Sequence, residues 1–252
     1  MFRRLFMMAT ATVVAVTLTA AAPSSGQAVK AAPMVTIMPI GDSITVGCCS
    51  PCPDGYRWTL GDRLVLVGQL NVNYIGPSFS GCSPNPRYAG GNGYTINQVR
   101  TSIAGWFASG SPDIALLDIG VNDARNGRTP TQMLADMGTL LDTMLTYPNT
   151  RVVVAKLTVP NGAVNANLRA AGVPVQQFND GLQAVADARA PRVIVADMSI
   201  IPTSSLGDGL HPNDLGYRQM SWIWYMTLAQ WLGTGGYLPW SEVPFPVVPD
   251  LN

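Results

Sequence analysis

Three residues of types that serve acyl transfer stand out in this sequence: a serine, a histidine and an aspartate. Ser43 follows an apolar run in the tripeptide Gly-Asp-Ser, and His211 is the chain's single histidine. Acyl transfer needs a nucleophile, a base that takes its proton and a carboxylate that orients the base. Asp208, three residues before His211, can accept a hydrogen bond from the Nδ1–H of the ring, which leaves Nε2 free to accept the serine proton. These residues predict a Ser43–His211–Asp208 triad.

Each of these residues also has an ordinary structural alternative. Asp42 and Ser43 could simply cap a following helix, which is the usual role of an isolated Asp-Ser pair. A lone histidine is more often a packing or surface residue than a catalytic base. The presence of all three side-chain types in loops after strands favours the catalytic interpretation. No Gly-x-Ser-x-Gly motif surrounds Ser43, so the nucleophile elbow of the α/β-hydrolases is not predicted.

A serine nucleophile also requires donors for the negatively charged oxygen of the tetrahedral intermediate. Three candidates are the backbone N–H of Ser43, the backbone N–H of Gly93 and the side-chain amide of Asn122. The absence of a Cβ at Gly93 would let the backbone approach a ligand closely. A turn asparagine and glycine punctuation of a loop are the structural alternatives. The neighbouring Asp123 is predicted to brace its loop rather than to act chemically.

The elements between these residues predict an alternating α/β domain. Apolar runs typical of buried parallel strands cover residues 35–40, 113–120, 151–159 and 192–199. Residues 71–76 read as a further, shorter strand. A capping box after Thr129, a helical apolar spacing over 175–185 and an aromatic-rich stretch over 215–232 predict helices. The alternation implies right-handed crossovers. We therefore expect a three-layer α/β/α sandwich with a five-stranded parallel sheet.

Ligands of such a sheet lie outside the carboxyl ends of its strands, and four sequence blocks fall there. The blocks read GDSIT, GGNGY, GVND and DGLHP and occupy residues 41–45, 90–94, 120–123 and 208–212. Any one of them is a weak signal, because a short motif such as Gly-Asp-Ser occurs by chance in many proteins. Four blocks in this order, each at a point where a strand ends and a loop begins, are a strong signal.

In this order the blocks resemble the SGNH or GDSL hydrolase superfamily, over nearly the whole mature chain. The segments MPIGDSIT, GGNGYTINQV and LDIGVNDAR look most like its carbohydrate acetylesterase branch, related to acetylxylan esterases. The resemblance implies a flavodoxin-like fold and a serine esterase in which Gly93 and Asn122 join Ser43 in the oxyanion hole. The cysteine-rich insert CCSPC after the nucleophile block departs from the family pattern.

Composition and the first residues indicate an exported chain. Of 252 residues 47% are hydrophobic and 12% are charged, which suits one compact domain. Residues 1–28 read as a signal peptide, and 29–252 as a single hydrolase domain. The alternative for the apolar stretch is a membrane anchor. Without the leader, Lys plus Arg falls from 15 to 13 against 15 Asp plus Glu, a formal charge of −2. That charge provides no footprint for nucleic acid or for an anionic membrane.

Export into an oxidising compartment predicts that all four cysteines are paired. We expect Cys82 to bond one of Cys48, Cys49 and Cys52, because the loops that carry them leave neighbouring strands on the active-site side. Four cysteines allow three connectivities, so the sequence leaves the partner open. A zinc site made of the four cysteines is a weaker alternative, since adjacent cysteines fit the usual ligand spacing poorly.

The leading functional hypothesis is a secreted serine esterase that removes short acyl groups, chiefly acetyl, from carbohydrate, acting as a monomer and without a cofactor. Alternatives are a lipase or phospholipase of the same superfamily and a non-catalytic carbohydrate-binding module. A flavodoxin-like cofactor binder fits the topology but lacks a phosphate loop. Some aromatic residues near the blocks could line a sugar platform or pack in the core. They are Tyr56, Trp58, Tyr88 and Tyr94.

Overall fold

A computed structural model describes residues 34–68, 70–108 and 110–232. The predicted signal peptide and the Pro-rich tail after Gly233 lie outside these residues and stay predictions. Within the described residues the chain forms seven strands, bounded as β1 Met34–Gly41, β2 Asn71–Tyr74, β3 Ser78–Phe79, β4 Arg87–Gly90, β5 Ile114–Asp118, β6 Arg151–Lys156 and β7 Val193–Asp197.

Seven α-helices are described, and they alternate with the strands in most of the chain. Their bounds are α1 Ser43–Val46, α2 Arg57–Leu66, α3 Ile96–Phe107, α4 Val121–Arg125, α5 Pro130–Leu145, α6 Arg169–Asp187 and α7 Asp214–Leu232. Thr129 caps α5 through the predicted capping box with Gln132. No helix in the described part of the chain combines the length and the apolar character that crossing a bilayer requires.

One mixed sheet holds all seven strands, in the order β3-β4-β1-β5-β6-β7 with β2 also paired to β1. The strand β2 runs beside the first half of β1, and β4 runs beside its last two residues. Every pairing is parallel except β3 with β4. The order β2-β1-β5-β6-β7 is the doubly wound, flavodoxin-like arrangement, whose chain direction switches at β1 and β5.

The five predicted strands are all present, but the predicted strand count is wrong. Both β3 and β4 were missed because strands of two and four residues are too short to show an apolar pattern. The pairing of β4 with β1 depends on a glycine. Gly90 has φ +131, and a Cβ there would lie 1.8 Å from the Gly41 carbonyl oxygen.

Helices cover both faces of the sheet, as predicted, because alternate strand residues point to opposite sides. On β1, Met38 and Ile40 belong to one apolar core with α3, α5 and α6. Ile37 belongs to the other core, with α2 and α7. This three-layer packing fixes the carboxyl ends of β1 and β5 side by side, and the loops beyond them carry the predicted site residues.

Candidate active site

Ser43 is the first residue of α1, one residue after the end of β1, and it is buried with 8% of its surface exposed. Asp42 provides the cap of this short helix, because its Oδ1 accepts a hydrogen bond from the Ile44 N–H at 3.0 Å. The helix ends at Gly47, whose φ of +91 is a left-handed conformation that glycine adopts without strain. Capping is therefore the role of Asp42, and the Ser43 hydroxyl is left to face another partner.

That partner is His211. The Ser43 Oγ lies 2.9 Å from His211 Nε2, and His211 Nδ1 lies 2.7 Å from Asp208 Oδ2. With the ring proton on Nδ1, this nitrogen donates to Asp208 and Nε2 accepts from the serine hydroxyl. The structure thus brings together three residues from opposite ends of the chain in the order that a nucleophile, a base and an orienting carboxylate require.

Asp208 organises its whole loop as well as the histidine ring. Its Oδ1 accepts from the backbone N–H groups of Leu210 and His211 at 2.9 and 2.7 Å. Partial burial works to raise the pKa of Asp208, but the hydrogen bonds from His211 and Leu210 outweigh it and hold the pKa below the ordinary value of 3.8. The carboxylate is therefore ionised at neutral pH and suited to stabilise an imidazolium.

Asn122, on α4 just after β5, lies beside the nucleophile block and is buried. Its Nδ2 donates to Asp42 Oδ2 at 3.2 Å and to the Tyr94 carbonyl at 3.0 Å. An amide nitrogen carries two hydrogens, so both already have acceptors within the protein. To donate to a substrate oxygen, Asn122 has to share or exchange one of these bonds. Of the two, the longer bond to Asp42 is the weaker.

Gly93 lies in the loop between β4 and α3. Its φ is +78, and a Cβ added there would meet no atom within 4 Å. Open space beside the backbone is what a ligand-facing glycine needs. In the same block, the Gly91 N–H instead donates to the Gly41 carbonyl at 3.3 Å. The geometry therefore favours Gly93 over Gly91 as the glycine that faces the site.

Two buried carboxyl groups, Asp42 and Asp118, lie at the strand ends beside Ser43, and the sequence analysis assigned neither of them a chemical role. Burial raises the pKa of Asp42 to about 7, against the hydrogen bond from Ile44. Burial also raises the pKa of Asp118 well above its ordinary value, and Asp42 adds to that effect. The signal available in the sequence was an aspartate at the end of the two apolar runs that became β1 and β5.

Asp123 links two helices, which agrees with its predicted bracing role. Its Oδ2 accepts from the Ile96 N–H at 3.0 Å and so joins α4 to the start of α3. Burial raises the pKa of Asp123 to about 6, and the same hydrogen bond opposes the rise.

The cysteines follow the prediction in part. Cys82 bonds Cys52, which confirms a bridge from Cys82 to the cluster. The prediction that all four are paired is wrong: Cys48 and Cys49 are free thiols with their sulfurs 2.9 Å apart. Adjacent Cα atoms are about 3.8 Å apart, short of the 4.4–6.8 Å that disulfides usually span. The four-cysteine zinc alternative also fails, since two of its sulfurs are bonded to each other.

The free thiols lie close to the base. Burial first, and then the contact with Cys48, raises the pKa of Cys49 to about 12, so that Cys49 is a thiol and no rival nucleophile to Ser43 at neutral pH. Within the part of the chain that the structure describes, Cys48, Cys49 and His211 are the group whose donor atoms could hold a metal ion.

Arg57 holds the cysteine loop, the segment from Cys48 to Cys52, between its flanking residues. The sequence analysis did not single out this arginine. The residue is fully buried, and its guanidinium donates to five backbone carbonyls and lies over the Tyr88 ring at 4.7 Å. The carbonyls belong to Thr45, Val46, Pro53, Ser80 and Pro86. An arginine between two aromatics, Tyr56 and Trp58, was the sequence signal.

The aromatic residues proposed as a sugar platform divide between core and surface. Tyr56 and Tyr88 are buried, and the Tyr56 hydroxyl lies 3.1 Å from Thr45 Oγ1. Tyr94 is partly buried and stacks with Trp106 at 6.4 Å between ring centroids. Trp58 is 39% exposed. The core alternative is therefore right for two of the four.

Comparison with known proteins identifies the family. A protein-family model, that of the GDSL-like lipase/acylhydrolase family, matches residues 40–219 of this chain. The Multidomain esterase of Ruminococcus flavefaciens is 32% identical over 251 residues, which cover 88% of this chain and 31% of that protein. The chain therefore spans about a third of the length of this relative.

Solved structures agree on the fold. The Clostridium thermocellum family 3 carbohydrate esterase matches with a TM-score of 0.67 and 26% identity, over 79% of this chain and 99% of that one. A carbohydrate esterase family 3 structure from Talaromyces cellulolyticus matches with a TM-score of 0.66 and 23% identity, over 79% and 98%. The family match over most of the chain shows that this chain belongs to the GDSL-like lipase/acylhydrolase family.

Proposed function

We propose that this protein is a secreted esterase that removes acetyl and other short acyl groups from carbohydrate through a Ser43–His211–Asp208 triad. The observation that carries the proposal is the continuous chain from Ser43 Oγ through the imidazole to Asp208, with steps of 2.9 and 2.7 Å. Both distances are those of ordinary hydrogen bonds and need no rearrangement for proton transfer.

The reaction begins when Ser43 Oγ attacks the ester carbonyl carbon and His211 Nε2 takes the hydroxyl proton. Asp208 stabilises the imidazolium without taking its proton. The imidazolium then gives that proton to the departing sugar oxygen, and an acyl-Ser43 ester remains. Water attacks this ester with His211 again as the base, which releases the carboxylic acid and restores the serine. All of these steps use only groups of this chain and water.

The tetrahedral intermediate carries a negative oxygen that needs donors. We assign them to the backbone N–H of Ser43, the backbone N–H of Gly93 and Asn122 Nδ2. The open space at Gly93 supports its assignment. The assignment of Asn122 rests on its position, since its amide already contacts Asp42, the neighbour of Ser43. Such donors act mainly in the transition state, where the oxygen charge is largest.

The carbohydrate substrate and the short acyl group rest on similarity. The matched Clostridium thermocellum structure is a family 3 carbohydrate esterase, and the segments around the first three blocks resemble the acetylesterase branch. Export rests on the leader pattern of residues 1–28 and on the Cys52–Cys82 bridge, because disulfides persist in oxidising compartments. We expect a monomer with no nucleic-acid partner and no stable membrane association.

An acyl-length series tests the proposal. We expect kcat/KM to be higher for p-nitrophenyl acetate and butyrate than for the octanoate, and acetate to be released from acetylated xylan. Ser43→Ala should abolish both activities. The partly buried Ser102, on α3, provides a matched serine-to-alanine control that should keep them. Faster turnover of the octanoate would move the enzyme to the lipase alternative, and sugar binding without any Ser43-dependent hydrolysis would support the binding-module alternative.

A further inference from the structure

The two free thiols have no role in the proposed esterase mechanism, yet they form a cluster with its base, His211. Cys48 Sγ and Cys49 Sγ lie 2.9 Å apart. Together with a ring nitrogen of His211 they form a set of three donor atoms that all lie within 4.8 Å of one another. The sequence separates the thiols from the histidine by more than 160 residues, so the cluster is a product of the fold.

These three donors fit a thiophilic divalent cation in size and type. Zinc binds thiolate sulfur at about 2.3 Å and imidazole nitrogen at about 2.0 Å, which sets tetrahedral ligands roughly 3.5–3.8 Å apart. The spread of 2.9 to 4.8 Å in the cluster brackets that separation. The two sulfurs have to move apart by about 0.9 Å to reach it, from 2.9 Å to about 3.8 Å, and the pair would be an unusual ligand spacing because the cysteines are adjacent. Two sulfurs and one imidazole favour zinc or cadmium over magnesium or calcium, which prefer oxygen ligands.

The surroundings hold two of the ligands in place. His211 Nδ1 already contacts Asp208 Oδ2 at 2.7 Å, so Nε2 is the nitrogen left for a metal. A carboxylate on the far nitrogen is the usual support of a metal-binding histidine. On the other side, the Tyr217 hydroxyl donates to the Cys48 carbonyl at 2.7 Å and anchors the loop next to the site.

We propose that Cys48, Cys49 and His211 form a binding site for a thiophilic divalent cation, and that the bound cation switches the esterase off. Each thiol gives its proton to solvent as its sulfur binds, and no electron is transferred. The cation takes the Nε2 lone pair, which is the one that accepts the Ser43 proton. A molecule with the cation bound therefore lacks a base. The switching-off rests on the proposed triad mechanism, whereas the binding does not.

Cadmium is the probe, because thiolate ligation to it gives an ultraviolet charge-transfer band. Alkylation and peptide mass analysis first verify a preparation with Cys48 and Cys49 as thiols and the Cys52–Cys82 bridge intact. We expect one cadmium ion per chain and a band from two thiolates. The double variant Cys48→Ser/Cys49→Ser should lose both. His211→Ala should bind at least about tenfold more weakly, since one ligand is gone. Ser50→Ala, beside the pair, is the matched control and should bind as the wild type does.

Ester hydrolysis is the second readout, measured in each protein with and without cadmium. Wild type and Ser50→Ala should lose activity in proportion to the cadmium bound and recover it with a chelator. The double variant should show the same rate with and without the ion. Melting curves show whether each variant is folded, and the single variant Cys49→Ser takes the place of the double variant if that one fails to fold.

Three results would overturn the proposal. They are the absence of a cadmium band in the verified dithiol protein, an unchanged affinity in His211→Ala, and peptide mapping that finds Cys48 joined to Cys49 in every preparation. Full activity at full cadmium occupancy would remove the switch. If neither the wild type nor any variant hydrolyses esters even without cadmium, the proposed function fails. The cadmium band still decides whether the metal site exists.

Discussion

Asn122→Ala separates transition-state stabilisation from loop building, because the two roles predict different kinetics. If Asn122 Nδ2 donates to the oxyanion, its loss should lower kcat with KM little changed. Removal of one such donor costs about 10²–10³ in kcat. The amide first has to exchange its 3.2 Å bond to Asp42, which offsets part of the gain. We therefore expect the lower end of that range, about 10²-fold.

The same substitution has a stability cost that the structure sets. It leaves two acceptors without a donor, Asp42 Oδ2 and the Tyr94 carbonyl. An unsatisfied buried group costs about 1–3 kcal/mol. Asp42 has a pKa of about 7 and can take up a proton instead of remaining a bare carboxylate. We therefore expect the total loss to be nearer about 2 kcal/mol than the sum of two full penalties.

The assay measures kcat, KM and melting temperature on one preparation with p-nitrophenyl acetate. Asn179→Ala is the matched control, because Asn179 is a buried asparagine that bonds the Leu157 N–H and carbonyl at 2.7 and 2.8 Å. The control should melt early and keep its kcat. If Asn122→Ala behaves in the same way, Asn122 has no part in the chemistry and the oxyanion hole has two backbone donors.

Three further predictions concern stability. Asp42 has a folded pKa of about 7 against an ordinary 3.8, so between these values the folded state keeps a proton that the unfolded state has lost. The free energy of unfolding should therefore fall by up to about 1.4 kcal/mol per pH unit as pH rises through that window. Urea unfolding at a series of pH values should show a flatter pH dependence for Asp42→Asn, and parallel pH dependences of the two proteins would contradict this. Arg57→Met should cost about 2–4 kcal/mol and expose the cysteine loop to proteolysis, since it removes the donor shared by five carbonyls, and an unchanged digestion pattern would count against that role. Cys52→Ala/Cys82→Ala opens a loop of separation 30 and should cost about 3–4 kcal/mol in the chain-entropy model, measured by denaturant midpoint; an equal midpoint would refute the estimate.

The fold was largely predictable, since its strands are buried on both sides. In β5, for example, all five residues are buried and the first four are apolar. The strands β3 and β4 were not predictable, because two and four residues are too few to show an apolar pattern. In the site, Ser43, Asp208 and His211 all follow predicted strands, and the carboxyl ends of parallel strands share one edge of the sheet. Their proximity was therefore predictable.

Other parts of the site depend on distances that no sequence pattern encodes. The engagement of both Asn122 hydrogens arises from the fold, which brings Tyr94 and Asp42 to the same amide. The partner of Cys82 also required coordinates, since three cysteines within five residues are equivalent in sequence. Arg57 shows a limit of charge-based reasoning: an arginine usually lies on the surface, but this one has acceptors for its guanidinium inside the loop.

The position of the triad along the chain has a consequence for the order in which the enzyme is made. Ser43 follows the first strand, whereas His211 precedes the last described helix, α7. That helix packs on the α2 layer, where Trp224 and Tyr56 lie 5.7 Å apart between ring centroids. If Ser43 and His211 act as proposed, a nascent chain carries its nucleophile long before its base leaves the ribosome. We therefore expect ester hydrolysis only after the segment around His211 has been made and has reached Ser43, so that the onset of activity would report late folding of the newly made chain.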